Sequence, residues 1–425
     1  MNHRFLIKNQ SIHRKSSFLD SLDNLWIIFI ILLITSFYWW SRISIGNLKV
    51  PLASFFVLFI TLLWIYSLPF SESVYNDRFL IRKTMTPLLI MIWGMALSFI
   101  TNVDYSSYFS IILEMIFYVF LFYLIVKTIK SESAIFRITI IMIMCTTYFA
   151  LDGLYRFFIT KSIWRLGAGD VHTATNMGAF MFQASIILVV SKIIFDKNQS
   201  KMNKLFFIFI LTILAFAFIF TYSRGAWITL ILGGIVLIYY HRKLIVMAFL
   251  LPLLVFLFLP EEIGSRFVSI FDTQRSSKVE LLGNAVIKNT AHLRLTNWRN
   301  TINDMREHPI VGIGVGYYHG EDKGEFAPHS TYLRIWAEGG PIAICAFLWF
   351  LFNLANFFTS NAQENKRKSN WILIGYHTII ITHVFYLFLG DWAYQIYYWV
   401  FAGLSIASLK IFYPDFFKNV AKEKL

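Results

Sequence analysis

Long runs of mostly apolar residues, separated by short polar loops, are the feature that most limits what this chain can become. A membrane-spanning helix takes about 20 such residues, fewer where its flanks snorkel to the interface. The runs fall at Leu25–Trp40, Val50–Phe70, Pro87–Ile100, Tyr108–Val126, Ile138–Tyr155, Ala174–Val190, Leu205–Thr221, Ala226–Tyr240, Leu244–Leu259, Pro341–Phe358, Trp371–Leu389 and Tyr394–Leu409. The expected fold is therefore an all-α integral membrane protein with about twelve transmembrane helices. Composition agrees: 57% of the residues are hydrophobic and 15% charged, against about 45–50% and 25% in soluble domains. The length of 425 residues would suggest two or three soluble domains, but the apolar runs override it. The 44 Phe, 21 Tyr and 13 Trp suit a lipid-facing surface with aromatic belts. The first run resembles a signal peptide, yet it is followed by Phe37, Tyr38, Trp39 and Trp40 rather than a small-residue cleavage site. It is expected to stay attached as an anchor.

Lysine and arginine orient the spans. With the N-terminus inside, alternate loops hold 23 of the 38 basic residues, the short outer loops hold 6, and 9 lie between Arg266 and Arg334. This alternation predicts both termini in the cytoplasm and a long outer loop over 260–330, between spans nine and ten. The chain reads as a single polytopic membrane domain over 1–425. The net charge of +14 does not point to nucleic acid, because the basic residues are spread between apolar runs rather than gathered on one face. Cys145 and Cys345 both sit inside apolar runs, outside any C-x-x-C or Cys/His cluster. Metal and disulfide readings are poor for both.

Polar residues on the sparsely charged outer side are the candidates for chemistry. Arg224 lies in a tight turn, Thr221-Tyr222-Ser223-Arg224-Gly225. A snorkelling arginine is the plain reading; against it, the turn gives little reach, and Gly225 would leave room for a ligand. In the long loop, Leu293, Trp298, Ile302 and Met305 are spaced for an amphipathic helix over Ala291–Glu307, stopped by His308-Pro309. Arg294 stands one turn before Trp298, so the two share a face; plainly read, it touches lipid headgroups. Gly312, Gly314 and Gly316 alternate without a nucleotide-binding context, which points to an irregular turn packed closely on another element. His329, in Pro328-His329-Ser330-Thr331-Tyr332-Leu333-Arg334, sits where the loop re-enters the bilayer, and His is suited to proton transfer near neutral pH. Asp391 follows Gly390 at the outer mouth of the last hairpin, where a turn carboxylate is the plain reading. There is no D-x-D, no H-E-x-x-H and no carboxylate cluster, so no metal site and no cofactor are expected.

Together these residues resemble the O-antigen ligases of lipopolysaccharide assembly, whose domain is shared with some O-antigen polymerases and O-oligosaccharyltransferases. The resemblance rests on Ser223-Arg224-Gly225, on Arg294 through Trp298 to His308-Pro309-Ile310-Val311-Gly312-Ile313-Gly314, and on His329-Ser330-Thr331-Tyr332-Leu333 with Glu338-Gly339-Gly340. It implies a GT-C-like architecture in the cell inner membrane with a periplasmic site. The substrates it implies are an undecaprenyl-diphosphate-linked O-antigen and a lipid A-core acceptor, handled among membrane lipids. By the same resemblance, Arg224 and Arg294 contact the diphosphate, and Trp298 of the same motif is a substrate-binding candidate. His329 is the base for the acceptor hydroxyl, and Asp391 fits an acidic residue of the last outer hairpin that also matters in the family. A lysine near the outer end of an early span has its counterpart in Lys49.

The chemistry suits these residue types. Guanidinium forks bind phosphate oxygens through paired, charge-assisted hydrogen bonds. Near the low-dielectric bilayer they can offset a leaving group's growing charge without a divalent metal. Direct attack by a sugar hydroxyl would invert the anomeric centre. A lipid-linked-glycan transporter is the competing reading, but transporters show internal repeats and mid-membrane charges. This sequence shows no repeat, and its suspect charges lie at the surface.

Overall fold

The computed structural model describes residues 42–45, 48–51, 78–101, 105–160, 174–242, 279–281, 285–287, 290–318, 327–360 and 370–413, and positions 25, 26, 28, 62 and 166. Ten α-helices account for most of the described residues. They are α1 (Arg78–Leu97), α2 (Tyr105–Thr128), α3 (Glu132–Phe158), α4 (Ala174–Phe195), α5 (Lys201–Ile219), α6 (Arg224–Tyr240), α7 (Thr290–Glu307), α8 (Thr331–Ser360), α9 (Trp371–Tyr386) and α10 (Ile396–Phe412). Two short antiparallel hairpins accompany them, β1 (Arg42–Ile45) with β2 (Leu48–Pro51) and β3 (Val279–Leu281) with β4 (Ala285–Ile287).

Six of the helices are long and apolar enough to cross a membrane, and α6, α9 and α10 are shorter apolar helices. The chain is a multi-pass membrane protein. Of the twelve expected spans, Leu25–Trp40 and Leu244–Leu259 lie outside the described residues apart from positions 25, 26 and 28. Val50–Phe70 lies outside them as well, apart from its first two residues and position 62. Those first two residues, Val50 and Pro51, belong to β2 and pair with Ile43 and Arg42, so the second run does not begin as a helix.

Two prolines show how the helices tolerate a lost donor. Proline has no N–H and frees the carbonyl four residues earlier. Pro87 was expected to open the third span, but α1 starts nine residues before it and continues through it. The freed carbonyl of Lys83 accepts from the buried Asn353 side chain of α8 at 2.9 Å. In α8, Gly340 (φ 72°, ψ −175°) breaks the helix just before Pro341. There the carbonyl of Ala337 accepts from Ile313 N–H at 2.7 Å.

That second contact explains the alternating glycines. The 312–316 turn docks on the break in α8, and a Cβ on Gly312 would stand 2.6 Å from the Ala337 oxygen. Thr101 Oγ1 donates to the Gly312 carbonyl at 2.7 Å, and Val315 N–H donates to Ser98 Oγ at 3.1 Å. The turn is thus fastened to the end of α1 as well as to α8, as the close-packing reading required. Helices α1 and α8 also touch at Gly94, where a Cβ would sit 2.7 Å from the Ala343 backbone nitrogen.

Helix caps define the two ends of the bundle. Ser131, Ser200 and Asn370 accept from backbone N–H groups at the starts of α3, α5 and α9, each satisfying donors that a helix start leaves open. The opposite end gathers the starts of α4, α6 and α8 and the close of α9.

Candidate active site

The site lies at that second end. α5 and α6 are joined by a turn in which Tyr222 takes the left-handed conformation (φ 52°), rare for a residue with a side chain. Ser223 stands at the N-cap position of α6 without capping it. Its hydroxyl instead donates to Asn176 Oδ1 of α4 at 3.2 Å and lies 3.5 Å from the Tyr386 hydroxyl of α9. Arg224 begins α6. Gly225 does not leave room for a ligand: a Cβ there would meet Leu389 at 3.1 Å and Tyr386 at 3.4 Å. Its smallness lets α6 close on α9.

Arg294, in the first turns of α7, comes within reach of the charge on Arg224. It is partly buried, which lowers its guanidinium from the ordinary value, while Tyr386 and Asp391 offset this. Two like charges held together, with one carboxylate nearby, make a region of positive potential fit for a polyanion.

His329 also takes the left-handed conformation, with φ 47°. Such a backbone state costs about 1–3 kcal/mol and persists only where surroundings impose it. Burial holds the imidazole below its ordinary value of 6.5; Asp391 pulls it back up, and Arg294 and Arg334 push it down. With 48% of its side chain still exposed, these charges act through partial solvent screening. Its Nδ1 faces Asp391 Oδ2 at 3.9 Å.

Asp391 belongs to a network that sequence reasoning left without a role. Arg334 Nη1 lies 3.6 Å from Asp391 Oδ2, and Arg334 Nε donates to Glu338 Oε1 at 3.2 Å. The Tyr394 hydroxyl donates to Glu338 Oε2 at 2.7 Å, and the guanidinium lies 4.0 Å above the Tyr394 ring. Glu338 is fully buried and Arg334 nearly so; such charges persist inside a protein when paired and hydrogen-bonded. The signal for the pair was an Arg and a Glu four apart on an otherwise apolar helix.

Trp298 uses its indole N–H inside the protein, donating to the Pro328 carbonyl at 2.7 Å. Lys49 lies in β2, opposite Ser44, and its side chain lies outside the described residues. Four of the six sequence candidates, Arg224, Arg294, His329 and Asp391, therefore share one electrostatic neighbourhood, and Trp298 borders it. His308 closes α7, its carbonyl accepting from Gly312 N–H at 3.1 Å.

None of the curated proteins matches the chain. Arg224, Arg294, Trp298, His329, Arg334 and Glu338 all fall within one segment that matches a family model, while Asp391 lies beyond it. That segment is residues 206–348, and the model it matches is described as O-Antigen ligase.

Proposed function

We propose that the chain is an inverting glycosyltransferase that moves an O-antigen glycan from undecaprenyl diphosphate to a sugar of lipid A-core, at the periplasmic face of the inner membrane. The observation that carries this is His329 facing the Asp391 carboxylate at 3.9 Å at one end of an apolar bundle, where the charges of Arg224 and Arg294 act on one another and that of Arg294 acts on the imidazole. A lipid diphosphate fits this charge arrangement, its tail in the bilayer and its phosphates against the arginines.

In this reading the acceptor hydroxyl attacks the anomeric carbon as the bond to the diphosphate oxygen breaks. The electron pair leaves with the diphosphate, whose growing charge Arg224 and Arg294 offset. The hydroxyl proton passes to His329 Nε2, the ring nitrogen turned away from Asp391. Asp391 then stabilises the imidazolium, and Arg334 keeps the carboxylate in place. A hydrophobic bundle around the site strengthens each of these interactions.

A polymerase or an O-oligosaccharyltransferase would use the same donor and differ in acceptor. The test is reconstitution of purified protein with lipid-linked glycan, with or without lipid A-core and in the presence of EDTA. The ligase reading expects glycan on lipid A-core, undiminished by EDTA. Longer lipid-linked glycan and unmodified lipid A-core would make the chain a polymerase; no transfer to either would overturn the proposal.

A further inference from the structure

The left-handed backbone of His329 needs something to impose it, and the chain on both sides of it is tied down. Before it, Asn297 Nδ2 donates to the Ala327 carbonyl at 3.0 Å and Trp298 Nε1 donates to the Pro328 carbonyl at 2.7 Å. Two consecutive side chains of α7 thus hold two consecutive carbonyls. After it, Thr331 N–H donates to the Leu387 carbonyl at 2.8 Å and the Gly390 carbonyl at 3.0 Å, and Thr331 Oγ1 donates to Gly390 at 2.7 Å. Asn297 and Thr331 are buried to 1% and 0% exposure, so these bonds are shielded from water. His329 is the apex between two anchors, one on α7 and one on the hairpin that carries Asp391.

We infer that Asn297 and Trp298 are positioning residues that hold His329 in its strained conformation, so that α7 ties the placement of the base to the binding of the donor. The inference rests on the proposed roles of Arg294 and His329. Arg294 lies one turn before Trp298 on the same helix. A diphosphate that draws Arg294 to a set position therefore sets the two donors that fix Ala327 and Pro328. Trp298 thereby acts on the reaction through backbone rather than by touching the glycan: its only hydrogen-bond donor is already taken.

Trp298→Phe keeps an aromatic ring and removes the donor. Misplacing a catalytic group by about 1 Å costs on the order of 10²-fold, so turnover should fall by about 10–10²-fold, with affinity for a labelled undecaprenyl diphosphate unchanged. Asn297→Leu should behave alike. The discriminating measurement is a double-mutant cycle with His329→Asn, a residue that tolerates the left-handed region. Once the imidazole is gone, Trp298→Phe should lower turnover no further. An equal loss in both backgrounds overturns the inference, as does unchanged turnover in the single variant. Weakened donor affinity with normal turnover at saturation would overturn it too, making Trp298 a substrate contact. Should His329→Asn itself leave turnover intact, the base assignment fails, and that outcome is read from this one variant alone.

Discussion

In the proposed reaction, arginine at 224 and 294 matters for shape as well as charge. A lysine at either position keeps the charge but loses the planar fork that grips two phosphate oxygens. Arg224→Lys and Arg294→Lys should each insert normally and lose most transfer activity; full activity in the double variant would remove the clamp. General base assistance contributes about 10²–10⁴-fold, so with His329 as the proposed base, His329→Asn should cut turnover by that order while donor binding persists. The pH profile follows from the environment of the imidazole. Burial and the flanking arginines hold it below 6.5, so the base form stays populated as the solution is mildly acidified. The acid limb of the turnover profile should have its midpoint below pH 6.5. Asp391→Asn removes a carboxylate that favours the protonated ring. The acid limb should then move to still lower pH, while the plateau drops because the imidazolium formed in the reaction loses its partner. An acid limb above 6.5 would contradict this placement of charges.

Among the helices, the two prolines supply the test. Asn353 satisfies the Lys83 carbonyl that Pro87 leaves open, and inside a membrane no water replaces it. Asn353→Leu should lower stability in detergent by about 0.6–2 kcal/mol. Pro87→Ala restores the backbone donor, so combining the two should recover most of the loss; an additive loss would refute the pairing. The same prolines mark where element reading from sequence succeeds and stops. The sequence places the start of a span at Pro341, and the helix does break there. The same reading of Pro87 fails, and it lies mid-helix, because the donor that compensates it is 266 residues further along the chain. Arg224, Arg294 and His329 stood out in sequence, being polar groups on a sparsely charged side and within recognisable motifs. Asp391 stood out too, but its pairing with Arg334 and that of Glu338 with Tyr394 did not: Asp391 and Tyr394 come from another hairpin, and only folding joins them to α8. The left-handed backbone of His329 is equally a product of contacts from α7 and the last hairpin.

At the scale of the whole molecule, the question is which end of the bundle faces which compartment. The end carrying Ser131, Ser200 and Asn370 also carries Lys192 and Lys410, side chains that are held within it. Lys192 Nζ lies 2.7 Å from Asp196 and 4.7 Å from the Trp371 ring centre, and Lys410 Nζ donates to the Val126 carbonyl at 3.4 Å. The loops at this end are the ones rich in lysine and arginine, which favours the cytoplasm. The far end holds Arg224, Arg294 and His329, where the proposed donor, energised by its diphosphate linkage, would need no nucleotide. Two exposed residues make the assignment measurable. Ile310, just past α7, is 73% exposed at the site end, and Met202, in the first turn of α5, is 77% exposed at the other. With Cys145 and Cys345 replaced by alanine, Ile310→Cys should react with a membrane-impermeant maleimide added to cells whose outer membrane alone has been opened. Met202→Cys should react only after the inner membrane is breached. The reverse pattern would place Arg224, Arg294 and His329 in the cytoplasm, away from any periplasmic acceptor, and the proposed reaction would have to be abandoned.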